Sequence, residues 1–352
     1  MIFYSINLAI FLIYSLFTNS YYKNRRAYFW LILIHLSLLL GLRSSIVGTD
    51  TPQYVSFYLE QNSGFNGNGT LVYSAISNLI NHLTNGNYHV FLFVLSLATV
   101  FCILKSMELF GGNENLMFLS IYIYITFYFY FESFNIQRQM LAISMVMLAM
   151  ALLYRRHFVW SIVLFTLAVG IHSTAIFAIV GFLIWIIKKS KVTFSLVMVV
   201  AALSNLFLNS LLSHFSQLFD HYQMYTDAVL ISGGGTLLLG IFLLIMVCAA
   251  IFLTDILHDK SAGFTIFMTA IGAVLYIVGS KSQLIIRMAD YFAIYSIISI
   301  PQAIIAMKRK FHDQRIVELI LTTIVIFVGL AIFYYKLMNN LGEIIPYSLN
   351  SI

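Results

Sequence analysis

The chain has 352 residues, of which 61% are hydrophobic and 9% are charged, and its formal net charge is +6. An average soluble domain carries about 25% charged residues, so this composition excludes a water-soluble globular fold. The lysines and arginines are spread over short loops, which excludes a basic patch for nucleic acid. Cys102 and Cys248 each lie within an apolar block, which excludes a disulfide framework.

Apolar blocks predict the helices in chain order. Blocks of about 15–21 residues have the length needed to cross about 30 Å of hydrocarbon, and we predict about twelve such spans. They cover about 2–18, 28–42, 88–105, 116–131, 139–154, 158–171, 174–187, 192–211, 236–254, 261–279, 288–307 and 316–335. The first block lacks the basic flank and the cleavage site of a signal peptide, so we expect a retained helix. The sequence predicts an all-α, polytopic transmembrane helical bundle, with residues 1–352 as a single integral membrane domain.

The stretch 157–187 is too long for one ordinary span and has His172 near its middle. Basic residues flank it on both sides: Arg155, Arg156, Lys188, Lys189 and Lys191. If both flanks face the cytoplasm, the segment must leave and return. We therefore expect two short helices that meet near His172, with a re-entrant pair or one long tilted helix as alternatives.

The distribution of basic residues predicts the orientation. Loops on one face hold fourteen of the nineteen lysines and arginines. By the positive-inside rule this face is cytoplasmic, which places both termini outside. The outward exceptions are Arg43, Arg138, Lys281, Arg287 and Lys336. Three of them are arginines at the membrane end of a predicted helix, which makes them candidates for binding a ligand.

Two outward loops, 43–87 and 212–235, are long enough to contain binding residues. In the first loop, Thr51 followed by Pro52 is typical of a helix N-cap and its first helical position. We expect this short helix to present three aromatic side chains to the membrane surface: Tyr54, Phe57 and Tyr58. Leu71–Leu83 predicts a second amphipathic surface helix. Its apolar face consists of Tyr73, Ile76 and Ile80.

The arginines Arg43, Arg138 and Arg287 could line one outward cavity. Guanidinium groups bind phosphate oxygens in a bidentate manner and stay charged in a low dielectric. Such a cavity would suit a membrane-anchored substrate that carries a phosphate or diphosphate. The alternatives are that each arginine reaches the interface by snorkelling or forms an ion pair. Asp290, one helical turn after Arg287, offers such a pair.

Two residues are candidates for a general base. Asp50 is a carboxylate in the outward loop, and its alternative role is a turn residue before the helix. His172 lies in an apolar hairpin and titrates near neutral pH, and its alternative role is a hydrogen-bonded packing residue. Tyr54 and Tyr291 could stack on sugar rings, although tyrosines ordinarily form interfacial belts.

Several motifs of other enzyme classes are absent from the sequence. It contains no Gly-rich phosphate loop after a strand, no HExxH and no serine in a nucleophile elbow. The outer loops also lack paired aspartates of the DxD type. We therefore expect neither a metal ion nor another cofactor.

Short segments with a characteristic order extend over residues 41–347. They are Gly41-Leu-Arg43, Val47-Gly-Thr-Asp-Thr51 with Tyr54, Asn135-Ile-Gln-Arg-Gln-Met-Leu-Ala142, Ala168-Val-Gly-Ile-His172-Ser-Thr-Ala, Arg287-Met-Ala-Asp-Tyr291-Phe and Ile345-Pro-Tyr347. Together they resemble the motifs of the EpsG family, Wzy-like bacterial polymerases of O-antigen, capsule and exopolysaccharide.

The resemblance implies a GT-C-like, metal-independent, inverting glycosyltransferase at the outer face of the bacterial inner membrane. Such an enzyme would transfer a glycan from undecaprenyl diphosphate to the non-reducing end of a lipid-linked repeat unit. Arg138 and Arg287 would then contact the diphosphate. Arg43 would hold the same group or fix Asp50, and His172 would be preferred to Asp50 as the base. The implied partners are undecaprenyl-diphosphate-linked oligosaccharides, membrane lipids and a chain-length regulator protein, with no nucleic acid.

Two other classes remain as alternatives. A lipid-linked oligosaccharide flippase or other transporter would need ionisable residues deep within several spans, and His35 is the chief example here. A membrane O-acyltransferase would need its histidine near an inner-face acyl donor, whereas His172 lies at the predicted outer end. We therefore expect the polymerase.

Overall fold

The computed structural model describes residues 1–19, 25–60, 71–111, 117–203, 235–280 and 282–349. The α-helices in these ranges are α1 (Ile2–Asn19), α2 (Arg25–Gly41), α3 (Thr51–Leu59), α4 (Leu71–Thr84), α5 (Tyr88–Gly111), α6 (Met117–Thr126), α7 (Phe129–Glu132), α8 (Gln137–Tyr154), α9 (Phe158–Ile171), α10 (Val180–Ile186), α11 (Lys191–Leu203), α12 (Gly235–Leu253), α13 (Lys260–Val278), α14 (Gln283–Ala293), α15 (Ser296–Lys308) and α16 (Gln314–Met338). Two 3-10 segments, Ser173–Ile179 and Ile256–His258, lie between them. The predicted all-α class is confirmed.

The lengths of the apolar helices support a membrane protein. Among the described residues, five helices are long and apolar enough to cross a membrane, or six if the bent pair α14 and α15 forms one span. The other apolar helices have 10–17 residues, which is shorter than the approximately 20 residues of an upright span. The count of about twelve spans and the GT-C-like class therefore stay predictions.

The described chain divides into two compact units. The first unit comprises Met1–Leu109, Tyr128–Ala175 and Phe333–Ile352, and the second comprises Phe110–Phe127 and Ile176–Ile332. In the first unit, α8 and α9 pack as a hairpin joined by a three-residue turn. α4 packs against α9, and a Cβ added at Gly170 would lie 2.3 Å from Val72 Cγ2. Glycine thus allows the close approach of these two helices.

The C-terminal segment 339–349 ties together several parts of the first unit at its predicted outward end. We call this segment the C-terminal strap. Its hydrogen bonds reach the outward loop and the helices α1 and α2: Ser44 N to Ser348 O (2.9 Å), Gly48 N to Glu343 O (3.1 Å), Tyr4 Oη to Ile344 O (2.8 Å) and Tyr347 Oη to Leu39 O (3.0 Å). An antiparallel β-bridge joins Arg43 and Leu349.

In the second unit, α13 packs against α12 and α14. A Cβ added at Gly272 would lie 2.3 Å from the backbone nitrogen of Ala293, so α13 and α14 are in direct backbone contact. α14 and α15 meet at a bend of 50°. Polar side chains of α13 and α15 bond to one another: Thr269 Oγ1 with Ser299 Oγ (2.7 Å), which are both buried, and Thr265 Oγ1 with Gln302 Oε1 (2.7 Å). These bonds satisfy polar groups that water cannot reach in a membrane.

Basic loops predicted to face the cytoplasm come together within each unit. In the first unit, the Arg155 guanidinium donates to Leu109 O at 2.6 Å. In the second unit, the pKa of Lys189 is lowered mainly by burial and also by the positive charge of Lys260. The loops that carry Lys189 and Lys260 are therefore neighbours. These contacts agree with a shared face for the loops, while the orientation itself stays a prediction.

The outward loops differ from the expectations in two details. The N-cap of α3 is Asp50 rather than Thr51, because the Thr51 hydroxyl donates to Phe134 O instead. Tyr58 does not face the membrane surface: it is 1% exposed and its ring stacks on Phe91 at 4.3 Å. The predicted helix after residue 70 is confirmed as α4, with Tyr73 and Ile80 buried. Apart from Gly235, the second outward loop lies outside the described residues.

The predicted break near His172 is confirmed. α9 ends at Ile171, and His172 adopts an extended backbone with φ −146° and ψ 114°. A 3-10 segment and the short helix α10 follow. The chain from 157 to 187 is therefore two helical pieces and not one long tilted helix.

Candidate functional site

Arg138 lies in the first turn of α8, at the predicted outward end. Its Cζ atom is 5.4 Å from the ring centroid of Tyr73 in α4. Arg138 is partly exposed, whereas Tyr73 is buried. An arginine above an aromatic ring is held by a cation–π interaction. This contact joins the outward loop to the start of α8.

Tyr73 is the centre of a cluster of predicted site residues. Burial is the main cause that raises the pKa of Tyr73, and an electrostatic interaction with Tyr54 raises it further. The charges of Arg138 and Arg43 oppose this rise. The phenol therefore stays protonated at neutral pH. The structure thus brings Arg43, Tyr54 and Arg138 within electrostatic reach of one side chain.

Arg43 follows the end of α2 and is completely buried. Its Nη1 donates to Leu40 O, and its Nε and Nη2 each donate to Thr51 Oγ1 at 3.3 Å. Nη2 also donates to Gln137 Oε1 at 3.5 Å, and the guanidinium carbon lies 5.3 Å from the Phe134 ring centroid. Burial lowers the pKa of Arg43 to about 10, so it remains protonated at neutral pH. These contacts favour the loop-fixing role of Arg43, and its diphosphate contact stays a prediction.

The loop between α2 and α3 is fixed to the segment before α8. The Thr51 hydroxyl donates to Phe134 O at 2.8 Å, and Thr49 N donates to Asn135 Oδ1 at 2.7 Å. Gly48 has a φ of +99°, and an added Cβ would lie 2.4 Å from Phe134 O. Glycine is required here because both the backbone conformation and the space exclude a side chain.

Asp50 lies in this fixed loop as the N-cap of α3 and is partly exposed. Its carbonyl oxygen accepts a hydrogen bond from Tyr54 N at 3.1 Å. Thr51, the next residue, binds the Arg43 guanidinium. Arg43 therefore constrains Asp50 through the neighbouring residue, and the role of Asp50 as a base stays a prediction.

His172 belongs to the same end of the first unit as Arg138. α8 and α9 form an antiparallel hairpin, so the end of α9 lies at the same end of the hairpin as the start of α8. Gly170, on the last turn of α9, packs against Val72, the neighbour of Tyr73. His172 is 9% exposed. The two candidate bases therefore lie in the same unit as the Arg138–Tyr73 pair, and the base itself stays a prediction.

Arg287 and Tyr291 lie in the second unit. They are four residues apart on α14 and so share one face of the helix. Tyr291 is 0% exposed, and Arg287 is partly exposed. Asp290, the predicted ion-pair partner, is buried and accepts a hydrogen bond from the hydroxyl of Tyr276. The Tyr291 ring is enclosed by protein, and its predicted sugar contact, like the diphosphate contact of Arg287, stays a prediction.

Three residues of the first-unit cluster were not assigned to the site from the sequence: Tyr73, Thr51 and Gln137. Tyr73 was predicted only as part of an apolar helix face. Thr51 and Gln137 directly adjoin Asp50 and Arg138, so their positions beside candidate residues were the available signal. Among the described residues, no group of three His, Cys, Asp or Glu side chains could hold a metal ion.

A family model described as the EpsG family matches residues 26–349. The chain belongs to the EpsG family. This is a family of Wzy-like proteins of the exopolysaccharide and O-antigen polymerase type. The EpsG match contains all of the predicted site residues, from Arg43 to Tyr291. No curated protein and no solved structure matches the chain.

Proposed function

We propose that this protein is a polysaccharide polymerase of the bacterial inner membrane, acting on O-antigen, capsule or exopolysaccharide. The observation that carries the proposal is membership of the EpsG family over residues 26–349. The composition and the long apolar helices support a membrane location. The partly exposed Arg138 of the first unit supports a substrate that carries phosphate.

The proposed reaction is glycosyl transfer with inversion. A hydroxyl oxygen at the non-reducing end of a lipid-linked repeat unit attacks the anomeric carbon of the growing chain. A new carbon–oxygen bond forms there, and the bond from this carbon to the diphosphate oxygen breaks. Undecaprenyl diphosphate leaves with the electron pair, and the hydroxyl proton passes to a general base.

Arg138 and Arg287 are the proposed diphosphate contacts. Negative charge develops on the diphosphate as its bond to the sugar breaks, and fixed cations stabilise this charge without reorganisation. Arg138 lies at the predicted outward end of α8 and is partly exposed, which allows contact with a headgroup. Arg43 is completely buried and holds the loop between α2 and α3 through its hydrogen bonds to Thr51.

His172 is the proposed base, with Asp50 as the alternative. A neutral imidazole accepts a proton near pH 7. Asp50 adjoins Thr51, whose hydroxyl oxygen accepts hydrogen bonds from the Arg43 guanidinium. Tyr54, partly exposed at the start of α3, is the proposed sugar contact of the first unit.

Complementation of a strain that lacks the polymerase of the same locus tests the proposal. Wild type should restore a ladder of surface polysaccharide. The variants Arg138→Ala, Arg287→Ala and His172→Gln should leave single repeat units at matched membrane levels. Arg26→Ala, which removes an exposed arginine at the predicted cytoplasmic face, is the control and should retain the ladder.

The opposite result has a distinct pattern. If wild type fails to restore the ladder, and lipid-linked repeat units accumulate on the cytoplasmic side of cells that lack this protein, the polymerase proposal is wrong. That pattern would indicate a transporter of lipid-linked oligosaccharide. A normal ladder from all three variants would instead reject the proposed site residues.

A further inference from the structure

A cavity of about 390 Å³ lies in the first outward loop of the first unit. It is lined by the end of α3, the last turn of α4 and the turn that follows: Leu59, Asn81, His82, Asn85 and Gly86. We call it the α3–α4 cavity. Its volume falls within the range of about 300–1,000 Å³ that is typical of binding sites for small molecules. None of the residues assigned to the proposed site is among these five.

Hydrogen bonds between α3 and α4 fix the walls of the α3–α4 cavity. The side-chain amide of Asn81 donates to Tyr58 O at 2.8 Å. The Tyr58 hydroxyl lies 3.0 Å from Thr84 Oγ1 and donates to Asn87 O at 3.3 Å. These bonds join the two helices at the cavity, so its shape is set by the fold itself.

The turn after α4 forms one side of the α3–α4 cavity. Asn85 and Gly86 have φ values of +52° and +80°, which is typical of an Asn-Gly turn. Asn87 N donates to Thr84 O at 3.2 Å, and Gly86 N donates to Asn81 O at 3.0 Å. The backbone of the turn is therefore fixed, and the exposed side chain of Asn85 lines the cavity.

The lining of the α3–α4 cavity suits hydroxyl groups. It contains two carboxamides and an imidazole, and among the described residues that line it none is a lysine, arginine, aspartate or glutamate. A carboxamide has both donor and acceptor atoms and so matches a sugar hydroxyl, which also donates and accepts. A phosphate would instead be bound by cationic donors. The exposed His82 and Asn85 can therefore exchange hydrogen bonds with the hydroxyls of a sugar ring.

The α3–α4 cavity also lies at a suitable distance from Arg138. The first turn of α4 carries Tyr73, which contacts Arg138, and the last turn carries His82. At a rise of 1.5 Å per residue, Tyr73 and His82 are about 13–14 Å apart along the helix axis. A short oligosaccharide covers such a distance, whereas a single sugar ring does not. The cavity is therefore placed for a sugar further along a glycan whose diphosphate is bound at Arg138.

We propose that the α3–α4 cavity binds sugar rings of the lipid-linked glycan through hydrogen bonds between their hydroxyl groups and the side chains of His82 and Asn85. This inference rests on the proposed function and names a saccharide subsite for it. A site built from hydrogen-bonding groups rejects an analogue that lacks the matching hydroxyls, so this subsite contributes to the choice of repeat unit.

Binding of lipid-free oligosaccharides to the purified full chain in lipid nanodiscs tests the inference. The probe is the repeat unit released by mild acid hydrolysis from the lipid-linked units of the producing strain. A maltooligosaccharide of the same length is the control sugar. Isothermal titration calorimetry should show that wild type binds the repeat unit about tenfold or more tightly than the control sugar.

Two variants remove the proposed contacts and should retain the fold. His82→Ala shortens an exposed side chain, and Asn85→Gly removes the carboxamide at a positive φ that glycine tolerates. Each should weaken binding of the repeat unit by about threefold to tenfold, which corresponds to one lost hydrogen bond. Asn78→Ala removes a carboxamide of α4 that is not among the lining residues, and it should bind the repeat unit as wild type does.

A fragment of several repeat units distinguishes the donor chain from the acceptor unit. If wild type binds this fragment more tightly than a single unit, and His82→Ala removes the difference, the cavity holds the donor chain. If wild type binds both equally, the cavity holds the acceptor unit. Either result supports a saccharide subsite.

The inference is wrong if wild type binds the repeat unit no better than the maltooligosaccharide, or if both His82→Ala and Asn85→Gly bind it as wild type does. The ladder of the complementation experiment measures the proposed function separately. A wild-type ladder together with either of these binding results would reject the saccharide subsite and leave the polymerase proposal standing. Failure of wild type to restore the ladder would reject both proposals.

Discussion

Replacing Gly48 by alanine tests how the outward loop is held against the start of α8. Gly48 has a φ of +99°, and an added Cβ would lie 2.4 Å from Phe134 O and 2.9 Å from Thr51 Oγ1. A left-handed backbone costs about 1–2 kcal/mol for a residue with a Cβ. Overpacking against a backbone carbonyl adds about 1–3 kcal/mol. We therefore expect Gly48→Ala to lower the free energy of unfolding by about 2–5 kcal/mol.

Gly86 offers a matched control in the same outward loop. Its φ is +80°, and the nearest atom to an added Cβ is Leu59 Cδ2 at 3.9 Å. Gly86→Ala therefore introduces the backbone strain without the collision, and we expect a loss of only about 1–2 kcal/mol. The difference between the two variants isolates the contact of the loop with Phe134.

The assay is thermal unfolding in detergent, followed with a thiol-reactive fluorescent dye. Cys102 is 8% exposed in the folded protein and reports unfolding when it becomes accessible. A Cys248→Ser background removes the second thiol, which is partly exposed. Equal unfolding midpoints for Gly48→Ala and Gly86→Ala would show that the loop does not pack on Phe134 as described.

Three further predictions use the same thermal assay. Gly170→Ala should lower the unfolding midpoint because its Cβ would collide with Val72 Cγ2. The double variant with Val72→Ala should raise the midpoint again. A double variant as unstable as Gly170→Ala alone would reject the contact of α4 with α9. Arg43→Ala leaves buried acceptors unpaired and should lower the free energy of unfolding by about 2–4 kcal/mol. Arg138→Ala should unfold near the wild-type midpoint. A larger loss of stability for Arg138→Ala than for Arg43→Ala would contradict their assigned roles. Gly272→Ala collides with the backbone of α14 and should cost about 1–3 kcal/mol, and an unchanged midpoint would exclude the close packing of α13 on α14.

Much of the fold was predictable because its signals are local. Apolar length predicted the helices, and basic flanks predicted the break at His172, where α9 ends at Ile171. The turn signal at Thr51 and Pro52 placed α3 correctly and missed its N-cap by one residue, because the Thr51 hydroxyl is recruited by Phe134 from another part of the chain. The span count was not decided, because several apolar helices are shorter than a full crossing.

The candidate site was only partly predictable, because the contacts of its residues depend on segments that are far apart in the sequence. Charge asymmetry and motif order selected three arginines at the predicted outward face, among them Arg43 and Arg138. Their different surroundings came from packing: Arg43 is buried against Gln137 and Thr51, whereas Arg138 lies over Tyr73.

The sequence by itself determined the membrane class, the helices and the family, because composition, periodicity and motif order are properties of the chain. Only the tertiary structure decided which polar side chains meet. Tyr73 and Arg138 are far apart in sequence, and their contact exists because α4 is packed on α9 beside the first turn of α8. Hydrophobic patterning places a tyrosine on a buried face, but the partner it finds there depends on how the helices assemble.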